Sequence, residues 1–163
     1  MPLKRGDFMA LIIKSDFGEG EPIPTKFTCE GENVSPLLKI EGIDEKVSSL
    51  AIIVDDPDAP MKTFVHWVAW NIEPTNTIPE GIPTSKEVTH PIKILQGKND
   101  GKRFGYMGPC PPKGHGIHHY HFKVYALDTK LDLKPGSSKR KLLKAIKDHI
   151  IDQAELVGTY ERK

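Results

Sequence analysis

The sequence predicts a mainly β protein: an antiparallel β-sandwich with one principal helix in its C-terminal region. Two observations carry this. Over the first two-thirds of the chain, short apolar runs are separated by Gly, Pro, Asn and Asp, which is how strands joined by turns are punctuated. Near the end, a single segment places apolar residues at helical spacing. With 163 residues and no repeat or low-complexity tract, the chain reads as one domain spanning 1–163. A domain of that size buries about 70% of the surface its unfolded chain exposes, so it needs no metal or disulfide to hold it together.

Taken in order, the expected strands are Leu11–Lys14, Lys26–Cys29, Leu37–Ile40, Ser49–Val54, Phe64–Ile72, Ile92–Leu95 and His119–Leu127. The stretch Glu73–Pro91 holds four prolines and several threonines and reads as a long loop. Gln96–Gly114, rich in Gly and Pro, is a second one, and long loops on rigid scaffolds often carry function. After Pro135-Gly136, Ser137 or Ser138 can cap a helix running to about Gln153, with Leu142, Leu143, Ile146, Ile150 and Ile151 on the docking side. Lys139, Arg140, Lys141, Lys144 and Lys147 form its other side, which reads as a solvated face. Glu155–Glu161 returns as a final strand.

Net charge is +1 with 28% charged residues, so the basic excess of a nucleic-acid platform is missing and no nucleic-acid partner is expected. No apolar run approaches the roughly 20 residues of a membrane helix, so stable membrane insertion is not expected. The opening MPLKRGDFMALIIK imitates a signal peptide, but its apolar core Phe8–Ile13 is six residues long and is followed by a charged KSD. It reads better as a first strand, with Met9 an alternative start. Two cysteines, Cys29 and Cys110, do not make a disulfide framework; reduced thiols and a cytoplasmic location are the expectation.

Chemistry concentrates in three places: Asp55–Pro60 (DDPDAP), His66–Trp67, and Gly108–Tyr120 (GPCPPKGHGIHHY). Strand alternation puts His118 and Tyr120 on the face of Phe122, Val124 and Ala126, and His119 and His121 on the opposite one. It groups His66 with Val68, Trp70 and Ile72, and Asp56 with Leu50, Ile52 and Val54. Each strand then delivers a polar group where an apolar face runs out into a Pro/Gly loop, which is where a pocket opens. The prolines of DPDAP hold Asp56 and Asp58 in fixed directions, suited to orienting an imidazole. An imidazole bonded to a carboxylate through one nitrogen can donate its other N–H to an anion, and Tyr120 can donate its hydroxyl. At least one X–Pro bond near this site, Ala59–Pro60 first among them, is expected to be cis.

Competing chemistries fit less well. Alternation splits His115, His118, His119 and His121 between faces, so no zinc set is expected and no cofactor is called for. Cys110 lies between Pro109 and Pro111, without the helix N-terminus or elbow that activates a cysteine nucleophile.

The stretches CEGENVSPLLKIEGI, LAIIVDDPDAP, FVHWVAWNI, QGKNDG, GYMGPCPPKGHGIHHYHFKVYALD and LVGTYER resemble the prokaryotic branch of the phosphatidylethanolamine-binding proteins, the family that includes the Raf kinase inhibitor proteins. They occur in the family's order from about Ala10 to Arg162. The resemblance implies a large central sheet, a smaller sheet, a helix or two, and a pocket for small anions. Carried over position by position, ligand-binding residues are Asp56, Asp58, His66, Cys110 through its backbone N–H, Pro111 and Pro112 at the rim, His118 and Tyr120. The family usually reads HRY where this chain has HHY, so His119 stands in place of an arginine. The implied ligand is phosphate, a phosphorylated head group or a carboxylate. The implied role is regulatory or inhibitory, toward a protein kinase or a serine protease, in a monomer or homodimer. The alternative is a small acid–base hydrolase using Asp56, His66 and His118.

Overall fold

The computed structural model describes residues 10–163. In chain order its strands are β1 (Ile12–Lys14), β2 (Leu38–Glu41), β3 (Ser49–Asp56), β4 (Phe64–Ile72), β5 (Thr77–Ile78), β6 (Glu87–Val88), β7 (Ile94–Gln96), β8 (His118–Leu127) and β9 (Ile150–Tyr160). A single α-helix, α1 (Lys139–Ile146), precedes β9. Six strands form a central sheet in the order β6-β7-β4-β3-β8-β9, and three form a smaller sheet in the order β1-β2-β5. Every strand pairing within the two sheets is antiparallel. The mainly β sandwich read from the sequence is the fold the chain adopts. The leader-like opening and the alternative start at Met9 lie outside the described residues.

Two apolar layers flank the central sheet. On its inner face Leu50, Ile52, Val54, Phe122, Val124 and Ala126 pack with Ile13, Leu38, Ile40 and Ile78 of the small sheet. On its outer face Ala51, Ile53, Val68 and Trp70 pack beneath Leu131, Leu142 and Ile146. Strand β3 is therefore buried along its whole length, which its unbroken run SLAIIVDD anticipates for a strand covered on both sides. Ser138 caps α1 by accepting a hydrogen bond from the backbone N–H of Lys141.

Five expectations are corrected. The helix stops at Ile146 instead of Gln153, and Ile150 and Ile151 belong to β9. Two adjacent isoleucines fit a helical stripe, but β9 gains a full backbone ladder against β8 from Leu127↔Ile150 to His118↔Tyr160, and that ladder outweighs the helical spacing. Lys26–Cys29 is not a strand: Thr25–Phe27 forms a 3₁₀ turn in which Phe27 N–H bonds to Pro24 O at 3.0 Å. The long loop Glu73–Pro91 contributes the two-residue strands β5 and β6, each too short to show a period.

The cysteines also differ from expectation. Cys29 and Cys110 form a disulfide with a Cα–Cα distance of 5.4 Å. Their separation of 81 positions hides this in the sequence. What aligns them is a long-range backbone hydrogen bond, Cys29 N–H to Pro109 O at 3.0 Å. Finally, Pro57, Pro60, Pro111 and Pro112 are all trans, and the one cis peptide bond among the described residues is His90–Pro91. The Asp-Pro-Asp-Ala-Pro corner turns by other means. The Asp58 N–H bonds to Asp56 Oδ1 at 2.7 Å, and Met61 adopts a left-handed φ of 75°.

Candidate functional site

The antiparallel order places the C-terminal end of β3 between the N-terminal ends of β4 and β8. Asp56, His66, His118 and Tyr120 meet there because those strand ends are neighbours. Asp56 and Tyr120 reach the inner face by simple alternation. His66 does not. Val54 pairs with Trp67 and Asp55 with Val65, so His66 is an extra residue in β4, a β-bulge. Val68 and Trp70, grouped with His66 on alternation, lie in the outer layer, while the bulge turns His66 toward the inner one. His66 and its chain neighbour Trp67 thus both reach the inner side.

These side chains wall a cavity of about 340 Å³. Ala59, Pro60 and Phe64 line one side, Met107, Cys110, Pro111 and Pro112 another, with His66, His118 and Tyr120 between them. Its rim is fastened at several points. The disulfide ties Cys110 to the 3₁₀ turn. Asn33 Oδ1 accepts from Gly108 N–H at 2.8 Å, and Arg162 donates from Nε to Pro111 O at 2.6 Å.

Asp56 stands behind His118 and not on the cavity wall. Its Oδ2 accepts from His118 Nδ1 at 2.7 Å, while Oδ1 takes the Asp58 N–H, so both oxygens are used in orienting neighbours. Asp58 turns outward: its Oδ2 accepts from the His119 backbone N–H at 2.8 Å and the His119 ring at 2.7 Å. Partial burial alone would raise the Asp58 carboxyl, but those two hydrogen bonds outweigh it and hold it below the usual carboxylate range. His119, standing where the family usually has arginine, is indeed off the cavity face.

The polar atoms left for a ligand are few. His66 donates from Nδ1 to Met107 O at 2.5 Å. Burial lowers its basicity more than that bond and nearby Asp56 restore it, so His66 is a neutral ring whose Nε2 is an acceptor. His66 therefore brings no positive charge to the cavity. Both nitrogens of His118 are occupied, Nδ1 by Asp56 and Nε2 by His115 Nδ1 at 2.6 Å. Tyr120 is fully buried, and its hydroxyl is the one buried side-chain polar atom among the described residues with no hydrogen-bond partner. Burial raises this phenol far above its ordinary value, so it stays a neutral donor. Sequence reasoning missed two contributors: the relay residue His115, which looked like loop, and Arg162, whose place at the rim follows from the β8–β9 pairing.

Residues 13–161 match the sequence profile described as phosphatidylethanolamine-binding protein. The chain belongs to this family. A UPF0098 protein of Pyrococcus horikoshii is 63% identical over 155 residues, covering 95% of this chain and 78% of that protein. Among solved structures, Escherichia coli YbcL, described as a new member of the mammalian PEBP family, superposes with a TM-score of 0.85 at 33% identity, covering 95% of this chain and 100% of that one. A putative PEBP homologue from Chlamydia trachomatis gives a TM-score of 0.84 at 37% identity, covering 94% and 99%. This is a binding protein of the phosphatidylethanolamine-binding type, and no helix among its described residues is long and apolar enough to cross a membrane.

Proposed function

We propose that the protein is a non-enzymatic binding module whose cavity takes a small anion: phosphate, a phosphorylated head group or a carboxylate. The observation that supports this best is the Tyr120 hydroxyl, buried without a partner in a cavity wall. A buried donor left unmade costs about 1–3 kcal/mol, and a ligand oxygen would recover it. His118, oriented by Asp56, becomes the second donor once its Nε2 is freed from His115, and Pro111 and Pro112 shape the mouth. By family analogy the physiological role is regulatory, with the anion presented by a ligand or by a protein kinase or serine protease partner.

The alternative of an acid–base hydrolase using Asp56, His66 and His118 is less well supported, because both Asp56 oxygens are engaged by His118 and the Asp58 N–H. The Asp56–His118 pair ends in an imidazole, His115, and not in a hydroxyl or thiol. A cytoplasmic location remains compatible with the disulfide in a hyperthermophile's cytosol, while an ordinary reducing cytosol would require export.

Calorimetry with acetate and inorganic phosphate tests the proposal. His118→Ala should weaken binding about ten- to a hundredfold, since a charge-assisted hydrogen bond is worth roughly 1.5–3 kcal/mol. Tyr120→Phe should weaken it less, by about tenfold at most, because its hydroxyl is a neutral donor. Undiminished affinity in both variants would place the anion elsewhere.

A further inference from the structure

In the structure as it stands, His118 has nothing to offer an anion. Its Nδ1 is spent on Asp56 and its Nε2 on His115, at 2.7 and 2.6 Å. The side chains of the cavity then present one donor, the Tyr120 hydroxyl, and one acceptor, the neutral His66 Nε2. That is a poor match to a carboxylate or a fully ionised oxyanion, which only accepts hydrogen bonds. The match improves only if His118 Nε2–H is released.

The residue holding it is built to let go. His118 is 2% exposed and locked in place, whereas His115 is exposed on the rim loop. His115 lies between Gly114 at φ +74° and Gly116 at φ +93°, backbone conformations that L side chains rarely adopt. Neither glycine has any atom within 4 Å of where a Cβ would stand, so the turn borders open space beside each of them. One end is pinned by Gly114 N–H to Arg162 O at 3.0 Å, and His115 N–H bonds to Pro112 O at 3.1 Å.

We propose that His115 is a proton-sensitive latch that decides whether the cavity accepts an anion; this rests on the anion-binding reading above. The contact between His115 and His118 is one hydrogen bond, so one proton lies between the two facing nitrogens. With His118 Nδ1–H given to Asp56, the pair forms when both rings are neutral or when one is charged. It does not survive protonation of both, which sets two N–H groups and two positive charges against each other. Double protonation swings His115 out, and His118 then presents a charged Nε2–H beside Tyr120. The groups facing this pair are Asp56 and Asp58 with its partner His119, the neutral His66 and Tyr120, Arg162, and Tyr160 bonded to Glu30; Lys113 lies on the same loop. Anion binding is therefore coupled to proton uptake, and His115 sets the pH at which the pocket opens.

The test is calorimetric titration with sulfate, whose charge is constant from pH 8 to 6, on the wild type and His115→Ala. The wild type should bind more tightly as pH falls from 8 to 6. His115→Ala, a change on an exposed loop, needs only the proton on His118 and not a second one on residue 115, so at pH 7 it should bind at least about tenfold more tightly than the wild type and show a flatter pH profile. Identical profiles, or uniformly weaker binding by His115→Ala, would overturn the latch while leaving the pocket intact. If neither protein binds sulfate, the anion reading itself fails. The latch is then judged without ligand, by long-range ¹H–¹⁵N correlation of the histidine rings across the same pH range. The resonances of His115 and His118 should each move in two shared steps, as coupled groups do. Independent single titrations would dismiss it.

Discussion

Asp55 and Asp56 are chain neighbours, both buried at the end of β3, and they lead opposite lives. Asp55 points to the outer layer, where its Oδ2 meets Lys139 Nζ at 2.7 Å and Lys123 Nζ at 3.4 Å. Lys139 is the first residue of α1, so this carboxylate pins the helix to the sheet. Lys139 therefore leaves the solvated basic face that the sequence assigned to it. Asp56 points inward and meets an imidazole and a backbone N–H. One carboxylate is matched by permanent cations and the other by a partner whose charge depends on pH. Burial and residue type are the same; the identity of the partner separates a structural role from a functional one.

The comparison predicts that stability and binding come apart on the outer face and stay coupled on the inner one. The largest effect is expected from the disulfide at the cavity rim. Closing a loop across 81 positions is worth roughly 4 kcal/mol by the chain-entropy relation. A Cys29→Ser, Cys110→Ser double variant should unfold at a markedly lower guanidinium concentration and bind anion more weakly, since the Cys110 rim loses its tether. Coincident denaturation curves would show that the bridge adds nothing to stability. Next comes Asp55→Asn, expected to cost about 1–3 kcal/mol for the lost charged hydrogen bonds. Lys139 and Lys123 are partly exposed and can turn to water, which favours the lower end. Its anion affinity should match the wild type; a tenfold loss would break the distinction between the two faces.

How much of this was legible in the sequence depended on how local each signal was. Phe64–Ile72 coincides with β4, and β3 and β8 were displaced by at most two residues, because long apolar runs carry their own period. Alternation correctly sent His118 and Tyr120 inward and His119 outward. It failed at His66, since a bulge resets the period and depends on how two strands register against each other, which no single strand encodes. The Cys29–Cys110 bond and the shortened helix failed for the same reason: both were decided by pairing between distant segments. The carbonyl of Met107 that fixes the His66 ring through Nδ1 was equally invisible, as a backbone atom has no sequence signature.

The smallest effect is a pH slope, and it sharpens the contrast between the two aspartates. Asp55 meets two lysines and no imidazole. His66 is different, because burial lowers its basicity in the folded state despite the Met107 carbonyl and the Asp56 charge. Once unfolded, it returns to the ordinary imidazole value near 6.5. Below that pH the unfolded chain takes up a proton that the folded chain refuses, so the unfolded state is favoured. The stability that neutral His66 contributes is thus fully present above about pH 6.5 and declines as pH falls toward its depressed folded value. Urea denaturation of the wild type from pH 7.5 to 5 should show this decline. His66→Gln, whose amide can still donate to Met107 O, should show a shallower one, and Asp55→Asn should keep the wild-type slope. If His66→Gln leaves the slope unchanged, His66 is not the group that makes the inner end of the sheet sensitive to protons.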